Sequence, residues 1–131
     1  MAQIQLVIVT PEKTTLDQMV DAVTLTLYDG EAGVLPGHAP MIGRLGPGEL
    51  RARVGSEESR YYVEGGNVQV ENNVVSVLTS QSMGVEEIDV AAAKASLQAA
   101  EAESASTPVL AEMKQKAIAQ AQAKIRIAAK S

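Results

Sequence analysis

Every glycine in this 131-residue chain lies at or before Gly84, and so do Pro11, Pro36, Pro40 and Pro47. Beyond that point glycine is absent, alanine dominates, and Pro108 is the only proline. Such a chain cannot be one uniform fold. Its first part is punctuated by turn formers, and its second part is rich in the residue with the highest helix propensity. The sequence therefore divides into a strand-forming domain, 1–84, and a helical domain, 85–131.

Within 1–84 the apolar residues recur every second position. Ile4, Leu6 and Ile8 alternate with Gln3, Gln5 and Val7. Val23, Leu25 and Leu27 alternate with Thr24 and Thr26, and Leu50, Ala52 and Val54 with Glu49, Arg51 and Arg53. Tyr61 and Val63, Val68 and Val70, and Val75 and Val77 continue the pattern. A period of two puts one set of side chains on a buried face and the other in water. Turn signals separate these runs: Thr10-Pro11, Asp29-Gly30, Pro36-Gly37, Gly46-Pro47-Gly48, Gly55-Ser56 and Gly65-Gly66. Asn72-Asn73 reads as a tight hairpin turn, because Asn tolerates positive φ. Many short strands so separated predict an all-β sandwich or barrel.

From residue 85 the apolar spacing changes to three and four. Val90, Ala93, Leu97 and Ala100 make one stripe on a first helix, 89–104, with Asp89 as N-cap and Glu86 and Glu87 near the positive end of its dipole. Ser104-Ala105-Ser106 interrupts the run, and Thr107 caps a second helix with Pro108 at its first position. Leu110, Met113, Ala117, Ala121, Ile125 and Ala128 form the second stripe, and Lys124, Arg126 and Lys130 suit the negative helix end. The short connection predicts an antiparallel hairpin. Alanine supplies half of these stripe positions and buries little area. A weakly held hairpin, able to leave the sandwich, is the expectation.

The residue types leave little room for chemistry. There is no Cys, and His38 is the single histidine, so neither a thiolate nor a multi-histidine metal site is expected. His38 would need an orienting acid to act as a base, and Glu31 is the nearest acid in its segment. Gly43, Gly46 and Gly48 lack the following Lys-Ser/Thr of a phosphate loop. A net charge of −5 argues against nucleic acid. The N-terminal segment lacks the basic region and long apolar run of a signal peptide. No stretch reaches the ~20 apolar residues of a membrane span, so membrane association is expected only through a partner. The composition thus predicts an interaction protein without a catalytic residue, cofactor or metal.

The segment Asp29 to Pro40 packs turn formers around Val34-Leu35 and makes a shaped, weakly charged loop beside a sheet, a good docking surface. Within it, Gly33-Val34-Leu35-Pro36-Gly37-His38-Ala39-Pro40 resembles the G-x-[LIV]-P-x-H-x-P loop of the epsilon subunits of F-type ATP synthase. Tyr62-Val63-Glu64-Gly65-Gly66-Asn67-Val68-Gln69-Val70, followed by Asn73 through Leu78, resembles that family's Gly-Gly step into a final hairpin. Val7-Ile8-Val9-Thr10-Pro11-Glu12 and the order of the parts also fit.

The resemblance implies two five-stranded antiparallel sheets followed by a helix-turn-helix. It implies a non-catalytic central-stalk subunit that joins the gamma subunit to the membrane ring of c subunits and couples proton flow to ATP synthesis. It would be peripheral, on the cytoplasmic face of a bacterial inner or thylakoid-type membrane. Gly30, Glu31 and Ala32 match the segment that faces the c-ring, and His38, Met41 and Gly43 match one lying against gamma. By the same resemblance the hairpin can extend along gamma toward the alpha and beta subunits and inhibit ATP hydrolysis. Some members bind ATP at the hairpin through [IL]-D-x-x-R-A; here Ile88-Asp89-Val90-Ala91-Ala92-Ala93 has Ala92 in place of Arg. Gln120 and Lys124 stand at the matching places on the second helix. Asp89, Lys94 and Lys124 remain as weak nucleotide candidates, and weak or absent binding is expected because no Arg fork is present. A nucleotide-sensing module meets the same objection, and a small hydrolase meets the single histidine.

Overall fold

A computed structural model describes residues 3–130. The chain divides into two compact units, 1–84 and 85–131.

The described residues of the first unit form eight strands: β1 (Ile4–Val9), β2 (Thr14–Val20), β3 (Ala22–Leu27), β4 (Gly30–Val34), β5 (Met41–Val54), β6 (Glu57–Glu71), β7 (Val74–Leu78) and β8 (Ser82–Gly84). They are hydrogen-bonded in the order β2-β1-β7-β6-β5-β3-β4, with β8 added to β6. The alternation in the sequence sets the faces: Ile4, Leu6 and Ile8 are buried while Gln5, Val7 and Val9 are only partly covered. Together with Val20, Val23, Leu25, Leu50, Val68 and Val77, they form one aliphatic core. Each such side chain contributes about 1.5–3 kcal/mol on burial, so a core without Phe or Trp suffices.

β5 and β6 are long because each runs through both layers. Their register pairs Leu45 with Gly66 and then Pro47 with Glu64, leaving Gly46 and Gly65 at a corner. Gly65 (φ +104°) and Gly66 (φ +107°) occupy the left-handed region that favours glycine. A Cβ on Gly66 would stand 1.9 Å from the Leu78 carbonyl oxygen. Divided at this corner, the sandwich has two five-stranded layers. One holds β2, β1, β7, the second half of β6 and the first half of β5. The other holds β8, the first half of β6, the second half of β5, β3 and β4.

The expected sandwich of two five-stranded layers is therefore present, with two corrections. The layers are one continuous hydrogen-bonded sheet folded over, and β1 and β7 run parallel rather than antiparallel. Alternation specifies which face a residue occupies, not which way a strand runs beside a distant neighbour. The β6–β7 turn is as expected: Asn72 and Asn73 have φ of 52° and 61°, two successive left-handed residues.

The second unit contains a short 3₁₀ turn, Val85–Glu87, and two helices, α1 (Val90–Ala102) and α2 (Pro108–Ala129), packed on each other. Both caps form as read. Asp89 Oδ1 accepts from the Ala92 N–H at 3.0 Å, and Thr107 Oγ1 accepts from the Leu110 N–H at 3.1 Å. Ala93 and Ala100 are buried on α1, and Ala121, Ala123 and Ile127 on α2. Leu110 and Met113 depart from the expected stripe, being 43% and 62% exposed. They lie by the end of α1, where Lys114 Nζ meets the Glu103 carbonyl and residues 101–107, all solvent-exposed, give no apolar cover. Among the described residues, no helix is long and apolar enough to cross a membrane.

Candidate docking site

The β3–β4 hairpin turns at Tyr28-Asp29, with Leu27 paired to Gly30, whose φ of +134° suits glycine. Leu25 faces Ala32 and Val23 faces Val34 on the inner side, so Thr26 and Glu31 point outward as a pair. Gly30, Glu31 and Ala32 thus lie together at the start of β4, the end strand of the hydrogen-bonded order, with Ala32 half-buried and Glu31 exposed.

Glu31 is not an isolated surface carboxylate. Arg51 Nη1 lies 3.4 Å from its Oε2 and 2.8 Å from Glu49 Oε1. Glu49 is buried, its side chain only 7% exposed, and its other oxygen accepts from Arg60 Nε. The hydrogen bond to Glu49 raises the Arg51 pKa, outweighing partial desolvation of the guanidinium, with Glu31 adding to the effect. A buried carboxylate is tolerated where charged donors satisfy it, as two guanidinium groups do here.

The loop after β4 is tied down at both ends. The His38 N–H donates to the Leu35 carbonyl at 3.1 Å, closing a turn in which Gly37 has φ +85°. The Gly37 N–H donates to Asn73 Oδ1 at 2.8 Å, and the Asn73 carbonyl accepts from the Gln5 N–H at 2.9 Å. One left-handed asparagine therefore links the loop, the β6–β7 turn and β1. His38 Nδ1 lies 2.7 Å from the Ala39 carbonyl. A carbonyl only accepts, so Nδ1 carries the hydrogen. Glu31, the acid considered for His38, is engaged with Arg51 instead.

β5 begins beyond this loop. Met41 packs against the core, and a Cβ at Gly43 would lie 3.2 Å from Leu27 Cδ2 and 3.3 Å from Val68 Cγ1. Both positions therefore face inward. Ile42, between them, points outward and is 82% exposed. The register continues its row across the first layer, from Gln69 to Ser76, Val7 and Asp17. The flanking rows contain Arg44, Asn67, Leu78 and Val9 on one side, and Glu71, Val74, Gln5 and Met19 on the other. Met19 and Leu78 are exposed as well. The outer face of this layer is thus partly apolar. The guanidinium of Arg44 lies 4.9 Å from the Tyr28 ring centroid, and the Tyr28 N–H donates to the Arg44 carbonyl at 3.1 Å. The β3–β4 turn and the start of β5 are thereby joined. Ile42 escaped the sequence reading, although it shares the phase of Arg44 in Met41-Ile42-Gly43-Arg44-Leu45.

The hairpin candidates stand at separate positions: the α1 cap, α1 and α2. Asp89 Oδ1 is engaged as a helix cap. Lys94 is exposed on α1, and Lys124 is half-buried on α2. Among the described residues, no group of three or more His, Cys, Asp or Glu side chains could hold a metal ion.

Residues 3–84 match the family described as the ATP synthase delta/epsilon chain, beta-sandwich domain. The ATP synthase epsilon chain of Rhodopirellula baltica is 46% identical over 123 residues, which span 94% of this chain and 96% of that one. The epsilon chain of Syntrophobacter fumaroxidans is 39% identical over 131 residues, covering 98% of each. A chain in the structure of the Euglena gracilis mitochondrial ATP synthase, comprising OSCP, F1 and c-ring, superposes with a TM-score of 0.82 at 28% identity. It covers 93% of this chain and 79% of that one.

Proposed function

The chain belongs to the ATP synthase delta/epsilon chain family, and from that premise we propose that it is a non-catalytic rotor subunit of the central stalk. It links gamma to the c-ring and couples proton translocation to ATP synthesis. The observation that carries this reading is the partly apolar outer face of the first layer, where Ile42 on β5 is 82% exposed and Leu78 on β7 and Met19 on β2 are exposed on the same face. Exposed apolar groups clustered on one face mark a protein-binding surface. Gamma occupies this face, reached from the His38 loop and the start of β5. The c-ring is met by Gly30, Glu31 and Ala32 at the edge of the other layer. The Tyr28–Arg44 contact connects the two surfaces, so torque delivered to one reaches the other through a short, hydrogen-bonded path. The subunit works at the cytoplasmic face of the membrane, held there by the ring.

The hairpin, α1 and α2, is the regulatory part. Its buried face is mainly alanine, and Val109, Leu110 and Met113 are exposed at its tip. A population change of this kind requires only a few kcal/mol of differential contact. Extended along gamma toward alpha and beta, the hairpin inhibits ATP hydrolysis. Removing residues 85–131 is expected to leave assembly intact and to raise the ATPase rate of the complex. An unchanged rate after that truncation would remove the inhibitory role. Nucleotide has no part in the latch: with Ala92 where an Arg would grip phosphate, calorimetry of the isolated chain with ATP is expected to show no binding tighter than millimolar.

A further inference from the structure

We propose that Arg51 is a positioning residue that fixes the Glu31 carboxylate at the ring-facing edge, and that buried Glu49 is its anchor. This inference rests on the reading of Glu31 as a c-ring contact. Four charged side chains alternate in sign from β4, across β3, to β5 and β6: Glu31 on β4, Arg51 and Glu49 on β5, and Arg60 on β6; Glu58 on β6 also lies 3.9 Å from Arg51 Nε. Exposure is lowest at Glu49, between the two guanidinium groups, and Arg60 is as exposed as Arg51, at 24%. Glu31 is 58% exposed, Arg51 24% and Glu49 7%.

A glutamate on a sheet edge would ordinarily sample several rotamers, and docking would have to arrest them. Here Arg51 Nη1 and Nη2 face Glu31 Oε2 and Oε1 at 3.4 and 3.5 Å, a long two-point approach with the geometry of a fork. The fork is itself held, because Nη1 also donates to Glu49 Oε1 at 2.8 Å. Glu49 in turn is clamped by Arg60. The chain presents Glu31 as a fixed hydrogen-bond acceptor, pre-set for donors on a ring loop, without ordering an unsupported side chain at the moment of contact. Lysine at position 51 would keep the charge but lose the fork.

The test is a double-mutant cycle in ATP synthase membranes depleted of this subunit, titrated with purified full-length chain until ATP-driven proton pumping is half restored. Glu31→Gln and Arg51→Gln are each expected to raise that concentration roughly fivefold. Arg51 also satisfies buried Glu49, so the variants are compared at equal folded fraction, measured by circular dichroism; on that footing the double variant is expected to be no worse than Glu31→Gln alone. Arg51→Lys should behave like Arg51→Gln while its thermal unfolding stays near wild type, which separates positioning from folding. Independent losses in the double variant, or a wild-type Arg51→Lys, would overturn the positioning role. No effect of Glu31→Gln would instead sink the ring-contact reading, and with it this inference.

Discussion

Replacing Gly66 by alanine is expected to unfold the sandwich under conditions where the parent chain is stable. The new Cβ would stand 1.9 Å from the Leu78 carbonyl oxygen and 2.9 Å from its carbon, both backbone atoms that cannot rotate away. The position also has φ +107°, which an L side chain rarely adopts. Overpacking costs about 1–3 kcal/mol and backbone strain about 1–3 more. A combined loss of about 3–5 kcal/mol is a large share of the 5–15 kcal/mol typical of a domain. Urea unfolding followed by circular dichroism measures it. Gly37→Ala is the control: its φ is +85°, but nothing lies within 4 Å of the added Cβ, so strain acts alone and the loss is about 1 kcal/mol. Equal midpoints for the two variants would mean that the corner does not bring β6 so close to Leu78.

The second large effect is on assembly. Ile42→Asp is expected to weaken binding to the gamma-containing complex by about thirtyfold or more, the loss that follows when a central apolar anchor costs 2 kcal/mol. Because Ile42 is 82% exposed, the unfolding midpoint should stay within about 0.5 kcal/mol of the parent. Binding and stability therefore separate at this position. Binding of Ile42→Asp at parental affinity would move the gamma surface away from the first layer.

Much of this architecture was legible in the residues because it follows from local rules. The period of two assigned Ile4, Leu6 and Ile8 to the core. Two consecutive asparagines specified a turn, and Asp89 and Thr107 specified helix starts. What escaped depends on neighbours distant in sequence. Gly65-Gly66 reads as a turn between strands, yet it is a corner inside one strand, because β5 stays paired with β6 on both sides of it. The parallel pairing of β1 with β7 joins segments more than sixty residues apart, and alternation carries no direction. Leu110 and Met113 have the spacing of a buried stripe, but α1 ends too soon to cover them.

The docking site was legible in its location and not in its chemistry. The motif marks 30–40, but the family pattern points to Met41 and Gly43, which face the core, while Ile42 between them faces out. The row from Glu31 through Arg51 and Glu49 to Arg60 comes from three strands. In the sequence these four residues look like ordinary solvated positions, and only the pairing of β4 with β3, β3 with β5 and β5 with β6 brings them together.

The most direct measurement adds the purified chain to ATP synthase membranes from which this subunit has been removed, and follows binding and ATP-driven proton pumping together. A rotor subunit that couples the stalk to the ring should rebind through gamma and restore pumping per ATP hydrolysed to the level of the untreated complex. Rebinding without any gain in coupling, or full coupling in membranes that never regain the chain, would contradict the account.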